Sequence, residues 1–170
     1  MKIRVLIQVI LTTLAIHSTG YAGSNDKTLW RQAEYGMTPA QVLKVFPHAQ
    51  KNPNPDRVSL TMSYSHVIIP STRISSVDFE VSFFFNATGL VQVTLIAERT
   101  INEYSKQLVS LLNQKYGKPI EIDGNSCYDR VEWYADQLSI SIFNEYSPCY
   151  DNSSVSIYYG HSRYDAMNSL

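Results

Sequence analysis

The sequence predicts an α+β fold, a two-layer sandwich of about six mainly antiparallel strands with two helices on one face, in the order α-βββ-α-βββ. Three observations lead there. Apolar and polar residues alternate with a period of two in several separate stretches. Two segments carry helix-start residues in combination. Each of these segments is followed by strand-like stretches, so a helix-plus-meander half over 37–97 is succeeded by a second over 100–160.

The N-terminus comes first. Lys2 and Arg4 precede an apolar run from Val5 to Ile16, shorter than the roughly 20 residues a membrane-spanning helix needs. Small residues at Gly20 and Ala22 then fit a cut after Ala22, so residues 1–22 read as a signal peptide and 23–170 as a single α+β domain. No cysteine follows the run, and stable membrane insertion after processing is not expected. Without Lys2 and Arg4 the chain keeps 12 basic against 15 acidic residues, a formal charge of −3 without charge blocks. That balance suggests neither nucleic acid nor an anionic membrane surface as a partner.

Residues 25–36 hold Trp30 and Tyr35 without clean periodicity and read as an irregular lead-in whose Trp30 docks on the core. Thr38, Pro39 and Gln41 then predict a capping box with proline at the first helical position, and Pro47 ends the helix. Residues 50–56, with Pro53 and Pro55, read as a loop. Val58, Leu60, Met62, Tyr64, His66 and Ile68 predict the apolar face of a strand stopped at Pro70. Val77, Phe79, Val81, Phe83 and Phe85, the turn at 86–89, and Val91, Val93, Leu95 and Ala97 predict a hairpin with one apolar side.

Thr100 and Glu103 predict a second capping box, Leu108, Leu111 and Leu112 share one stripe of the helix that follows, and Gly117 and Pro119 end it. After a polar loop, Val131 and Trp133 mark a strand, 134–137 a tight turn, Leu138, Ile140 and Ile142 its partner, and Val155, Ile157 and Tyr159 a last strand. The only cysteines are Cys127 and Cys149, and an even pair in an exported chain predicts a disulfide. A two-thiol metal site would need further ligands at metal spacing, and none is near.

The stretch Tyr35-Gly36-Met37-Thr38-Pro39-Ala40-Gln41-Val42, opening a helix followed by a meander, resembles the Gly-Met-Thr helix start of the SmpA/OmlA (BamE) family of envelope lipoproteins. Doubling the helix-plus-meander unit is similar to the β-lactamase inhibitor protein. The resemblance implies protein binding in the envelope or outside the cell rather than catalysis, and it implies no functional residue.

No catalytic motif, metal signature or cofactor-binding motif is found. His66 continues the apolar phase of its strand and reads as a core or rim histidine, with a buried base as the sharper alternative. Asp78 and Glu80 read as a solvated strand face. The outward phase of the strands is more informative. It collects short hydroxyl residues, among them Ser59, Thr61, Ser63, Ser65, Ser82, Thr94, Ser139, Ser141, Ser154 and Ser156, around Phe84, Arg130, Glu132, Tyr134 and Tyr158. Phe84 falls on the polar phase of a strand whose other face already carries Phe79, Phe83 and Phe85. Aromatic residues and arginine anchor interfaces because they give much contact area for little ordering cost. Phe84, Tyr134 and Tyr158 are thus candidate anchors and Arg130 the polar contact of a face that binds another envelope or extracellular protein. The expected location is the periplasm or the medium. Two other classes stay open: a binder of a small apolar or glycan ligand, which a pocket between helix and sheet would favour, and a hydrolase, which would need His66 beside a carboxylate and a serine.

Overall fold

The hairpin predicted over 77–98 lies at the heart of the computed structural model, which describes residues 27–58, 62–98, 102–146, 149 and 153–161. The expected signal peptide and Thr100–Glu103 capping box, and the outward positions Ser59 and Thr61, lie outside the described residues. In chain order the elements are β1 (Thr28–Trp30), β2 (Ala33–Glu34), α1 (Pro39–Val45), β3 (Gln50–Lys51), β4 (Arg57–Val58), β5 (Ser63–Ile74), β6 (Val77–Asn86), β7 (Gly89–Glu98), α2 (Asn102–Tyr116), β8 (Glu121–Gly124), β9 (Tyr128–Ala135), β10 (Leu138–Glu145) and β11 (Ser154–His161).

The six-stranded α+β sandwich is therefore corrected. The described chain is mostly β, with one nine-stranded antiparallel sheet and a separate two-stranded one. The large sheet runs β3-β5-β6-β7-β11-β10-β9-β8, with β4 also pairing to β5, so β11 joins the β5–β7 meander to the β8–β10 meander. The unforeseen strands β1, β2, β3 and β8 have two to four residues each, and Val58, expected to open the long strand, lies in the two-residue β4. Such lengths cannot display a period of two, and they become strands only because a neighbour supplies the ladder.

Capping works as expected at α1. The Thr38 hydroxyl accepts the Gln41 N–H, and the Gln41 side chain accepts the Thr38 N–H at 2.8 Å. Ahead of the helix, the Gly36 N–H donates to the Leu90 carbonyl and the Leu90 N–H to the Met37 carbonyl, both at 2.8 Å, which ties this segment to the start of β7. At the other end of the sheet, Gly117 stops α2 in the left-handed region, φ +85°, and its N–H donates to the Asn113 carbonyl.

The core fills the space between one face of the sheet and the two helices. Val42 and Phe46, Tyr104, Leu108 and Leu112, and the inward residues of β5, β6, β7, β9, β10 and β11 form one buried cluster. Trp30 docks on it as expected, stacked on Phe46 with ring centroids 5.7 Å apart. The hydroxyl of Tyr104 donates to the Ile74 carbonyl, and burial, opposed by Arg73, raises its pKa.

The phase of β5 is opposite to the expected one. Ser63, Ser65, Val67 and Ile69 are buried, whereas Met62, Tyr64 and His66 are exposed. Two features accompany it. The Ser65 hydroxyl accepts the Asp56 N–H at 2.8 Å and an Asn52 side-chain N–H at 3.0 Å, so the loop between β3 and β4 satisfies a serine that can then be buried. Met62 takes φ +46°, and the register shifts between Tyr64 and Val67, while burial keeps alternating from Ser63 to Ile69. Nor does Pro70 end the strand. It lies at a second register shift, between Ile69 and Thr72, where a residue without an N–H is tolerated.

Cys127 and Cys149 are bonded, with Cα atoms 5.4 Å apart. The bridge is reinforced by backbone, since the Tyr146 N–H donates to the Cys127 carbonyl and the Cys149 N–H to the Tyr146 carbonyl. Replacing both cysteines by serine is expected to lower unfolding free energy by about 3 kcal/mol, the loop-closure value for a ring of this length. Urea unfolding of the double variant checks it.

Candidate functional site

Side chains on the outward face of the sheet follow from strand register. One row across the strands is Phe84, Gln92, Gly160, Ser139, Tyr134; the next is Ser82, Thr94, Tyr158, Ser141, Glu132; the third is Glu80, Ile96, Ser156, Phe143, Arg130. Around Phe84, Ser82 and Thr94 this face is closed. Ser82 and Thr94 are buried beneath longer neighbours, the Ser82 hydroxyl donating to Glu80 and the Gln92 amide to Thr94.

Phe84 belongs to that closed part. Its register is outward as expected, but the side chain is only 6% exposed, and it is not an accessible anchor. Tyr134, in the same row but four strands away, is 39% exposed. The sequence rule placed Phe84 on the correct face and could not see how its neighbours cover it.

The face opens over β7, β9, β10 and β11. There a groove of about 450 Å³ is lined by Gln92, Gly160, Ser139, Ser141, Tyr158, Phe143, Glu132 and Arg130. Gly160, Ser139 and Ser141 occupy adjacent positions of two rows, so the floor is made of short side chains. Tyr158 and Phe143 rise beside it, and Phe143 is stacked on Tyr128, centroids 5.2 Å apart. Of the four candidates, the structure thus gathers Arg130 and Tyr158 in one groove, sets Tyr134 beyond its Ser139 edge, and leaves Phe84 apart. Phe143 went unnoticed, although it too is an aromatic on the polar phase of its strand.

Arg130 closes one end. Its Nη2 lies 3.1 Å from a Glu121 carboxylate oxygen and its Nε 3.6 Å from Glu132. The Nε–H has no hydrogen-bond acceptor among the described residues. Glu132 above all, opposed by partial desolvation and joined by Glu121 and Asp123, pushes the guanidinium pKa further up, so this end stays cationic but internally neutralised.

His66 lies elsewhere. It is exposed and lines two clefts at the start of α1. One holds Thr38, Pro39, Ala40, Leu43, Lys51, Asn52 and Val67 with it, about 530 Å³; the other runs past Tyr64 and Phe85 to the turn at 86–89. Neither cleft brings a carboxylate or a serine to the imidazole among its described lining residues. Asp78 is paired with Arg73 at 2.9 Å. No group of three or more His, Cys, Asp or Glu is placed to hold a metal ion among the described residues.

Near the disulfide the Tyr146 hydroxyl donates to the Asp129 carboxylate, and burial together with this bond pushes the phenol pKa up to about 12. That pair anchors the end of β10 and belongs to the framework of the sheet. Comparison with family models, with characterised proteins and with solved structures gives no match.

Proposed function

We propose that the protein is an exported protein-binding module, an envelope accessory or inhibitor-like protein, that holds another envelope or extracellular protein in the β7–β11–β10–β9 groove. The observation that carries this reading is the groove itself: an open channel with a floor of Gly160, Ser139 and Ser141, aromatic walls and a fixed guanidinium. This is the anatomy of an interface centre, where aromatic residues and arginine contribute most of the affinity. Export agrees with the Cys127–Cys149 bond, a linkage that persists in oxidising compartments. No helix among the described residues is long and apolar enough to cross a membrane.

Photo-cross-linking tests it. A photoreactive side chain at position 134, irradiated in envelope extract, is expected to give one discrete adduct. Ser141→Trp, which fills the floor, should reduce that adduct at least tenfold, about 1.4 kcal/mol of binding, while Lys106→Ala on α2 leaves it unchanged. An adduct undiminished by Ser141→Trp overturns the reading.

A second reading rests on the cleft of about 530 Å³ between α1 and β5, whose Pro39, Ala40, Leu43 and Val67 offer an apolar lining. It is the place for a small apolar or glycan ligand. Leu43→Glu would abolish such binding and leave the groove intact.

A further inference from the structure

The two edges of the large sheet differ in kind. At the β5 edge the chain carries two strands of two residues each and Pro70, features that prevent another strand from pairing. At the other edge β8 has no further partner strand among the described residues. It also exposes Ile122 at 73%, with Ile120 just ahead of it at 58%.

The ladder phase shows which backbone groups are offered. The Asn125 N–H donates to the Tyr128 carbonyl, and residues pair as Glu121 with Glu132, Ile122 with Val131, Asp123 with Arg130 and Gly124 with Asp129. Antiparallel pairs alternate between bonded and non-bonded, so Asp123 and Glu121 direct their backbone groups to β9. Ile122 and Gly124 direct theirs to the open edge.

Charge decides the occupant. On the outward side of β8 and β9 stand Glu121, Asp123 and Glu132 against a single cation, Arg130, which Glu121 and Glu132 already engage. A second copy pairing antiparallel through β8 would set Glu121 against Asp123, or an acid against Ile122, in the registers centred on the strand. Like charges directly opposite destabilise a sheet pair. A strand with basic side chains in the outward phase and an apolar one beside Ile122 has neither conflict.

We infer that the β8 edge is a strand-addition site for an extended segment of a partner protein with basic–apolar–basic alternation. Main-chain bonds to Ile122 and Gly124 would fix its register, Ile122 would be covered, and Glu121 and Asp123 would meet the basic side chains. The site goes beyond the groove, so its failure leaves the groove reading standing.

The probe is an eight-residue peptide of alternating Lys and Val, with the Glu and Val counterpart as control, assayed by calorimetry and amide hydrogen exchange on the full processed chain. The Lys peptide is expected to bind at least tenfold tighter than the Glu peptide and to slow exchange at Ile122 and Gly124. Ile122→Pro removes an N–H that β9 does not use and should reduce Lys-peptide binding at least tenfold while melting stays within about 2 °C. Equal binding of both peptides, or binding unaffected by Ile122→Pro, overturns the inference. So does slow exchange at Ile122 and Gly124 in the free protein, or a dimer that Ile122→Pro dissociates.

Discussion

Replacing Trp133 by alanine is expected to lower unfolding free energy by about 3–5 kcal/mol, the range for deleting a buried aromatic. Trp133 is 1% exposed, and it fastens α2 to the sheet in two ways. Its ring fills the core, and its Nε1–H, 3.1 Å from both, is shared between the Asn113 side-chain oxygen and the Gly117 carbonyl. Alanine would leave a cavity and remove the donor that satisfies the end of the helix. Trp133→Phe keeps much of the packing and loses the bond, so about 1–2 kcal/mol is expected from it. Urea unfolding of the pair separates the two contributions. Equal losses in both variants would mean that the hydrogen bond, not the packing, holds α2.

Gly89→Ala is expected to cost about 3 kcal/mol, and here the reason is backbone. A Cβ on Gly89 would lie within 3 Å of three Gly36 backbone atoms, its oxygen, carbonyl carbon and Cα, at a position where φ is +108°. Two effects add: strain of the side chain at positive φ and displacement of the Gly36–Leu90–Met37 bonding that seats α1. Gly117 provides the control, since its φ is +85° but a Cβ there meets nothing within 4 Å. Gly117→Ala should cost only about 1 kcal/mol. Thermal unfolding of the two variants decides it, and equal losses would remove the close approach as a cause.

These two glycines show what a sequence discloses and what it withholds. The hairpin of β6 and β7 is legible because Phe79, Val81 and Phe83 alternate and Gly89 ends the turn. That Gly89 lies against Gly36, 53 residues earlier in the chain, is a tertiary fact with no local trace. The capping box at Thr38 is legible for the opposite reason, since all its atoms lie within four residues. In β5 hydrophobicity pointed the wrong way, because Ser65 is buried by donors from a loop and Tyr64 and His66 are left outside. The groove was half legible. Tyr158 and Arg130 announced themselves by residue type and phase, while Gly160 and Ser139 matter only as neighbours in a row that β7, β11, β10 and β9 build together. β8 gave no signal at all, its four residues being a strand only by grace of β9.

The position of β11 has a consequence for the order of events in folding. This last described strand lies between β7 and β10, in the middle of the sheet, not at its margin. Until it arrives, β5, β6 and β7 can form a meander by local contacts, but β7 keeps a bare edge and the β8–β9–β10 meander has nothing to join. The closing step brings residues 154–160 onto 92–98, a contact of long sequence separation whose loop-closure entropy must be met before any pairing rewards it. The pairing of β7 with β11 is therefore expected to be the late step that joins the two halves of the sheet.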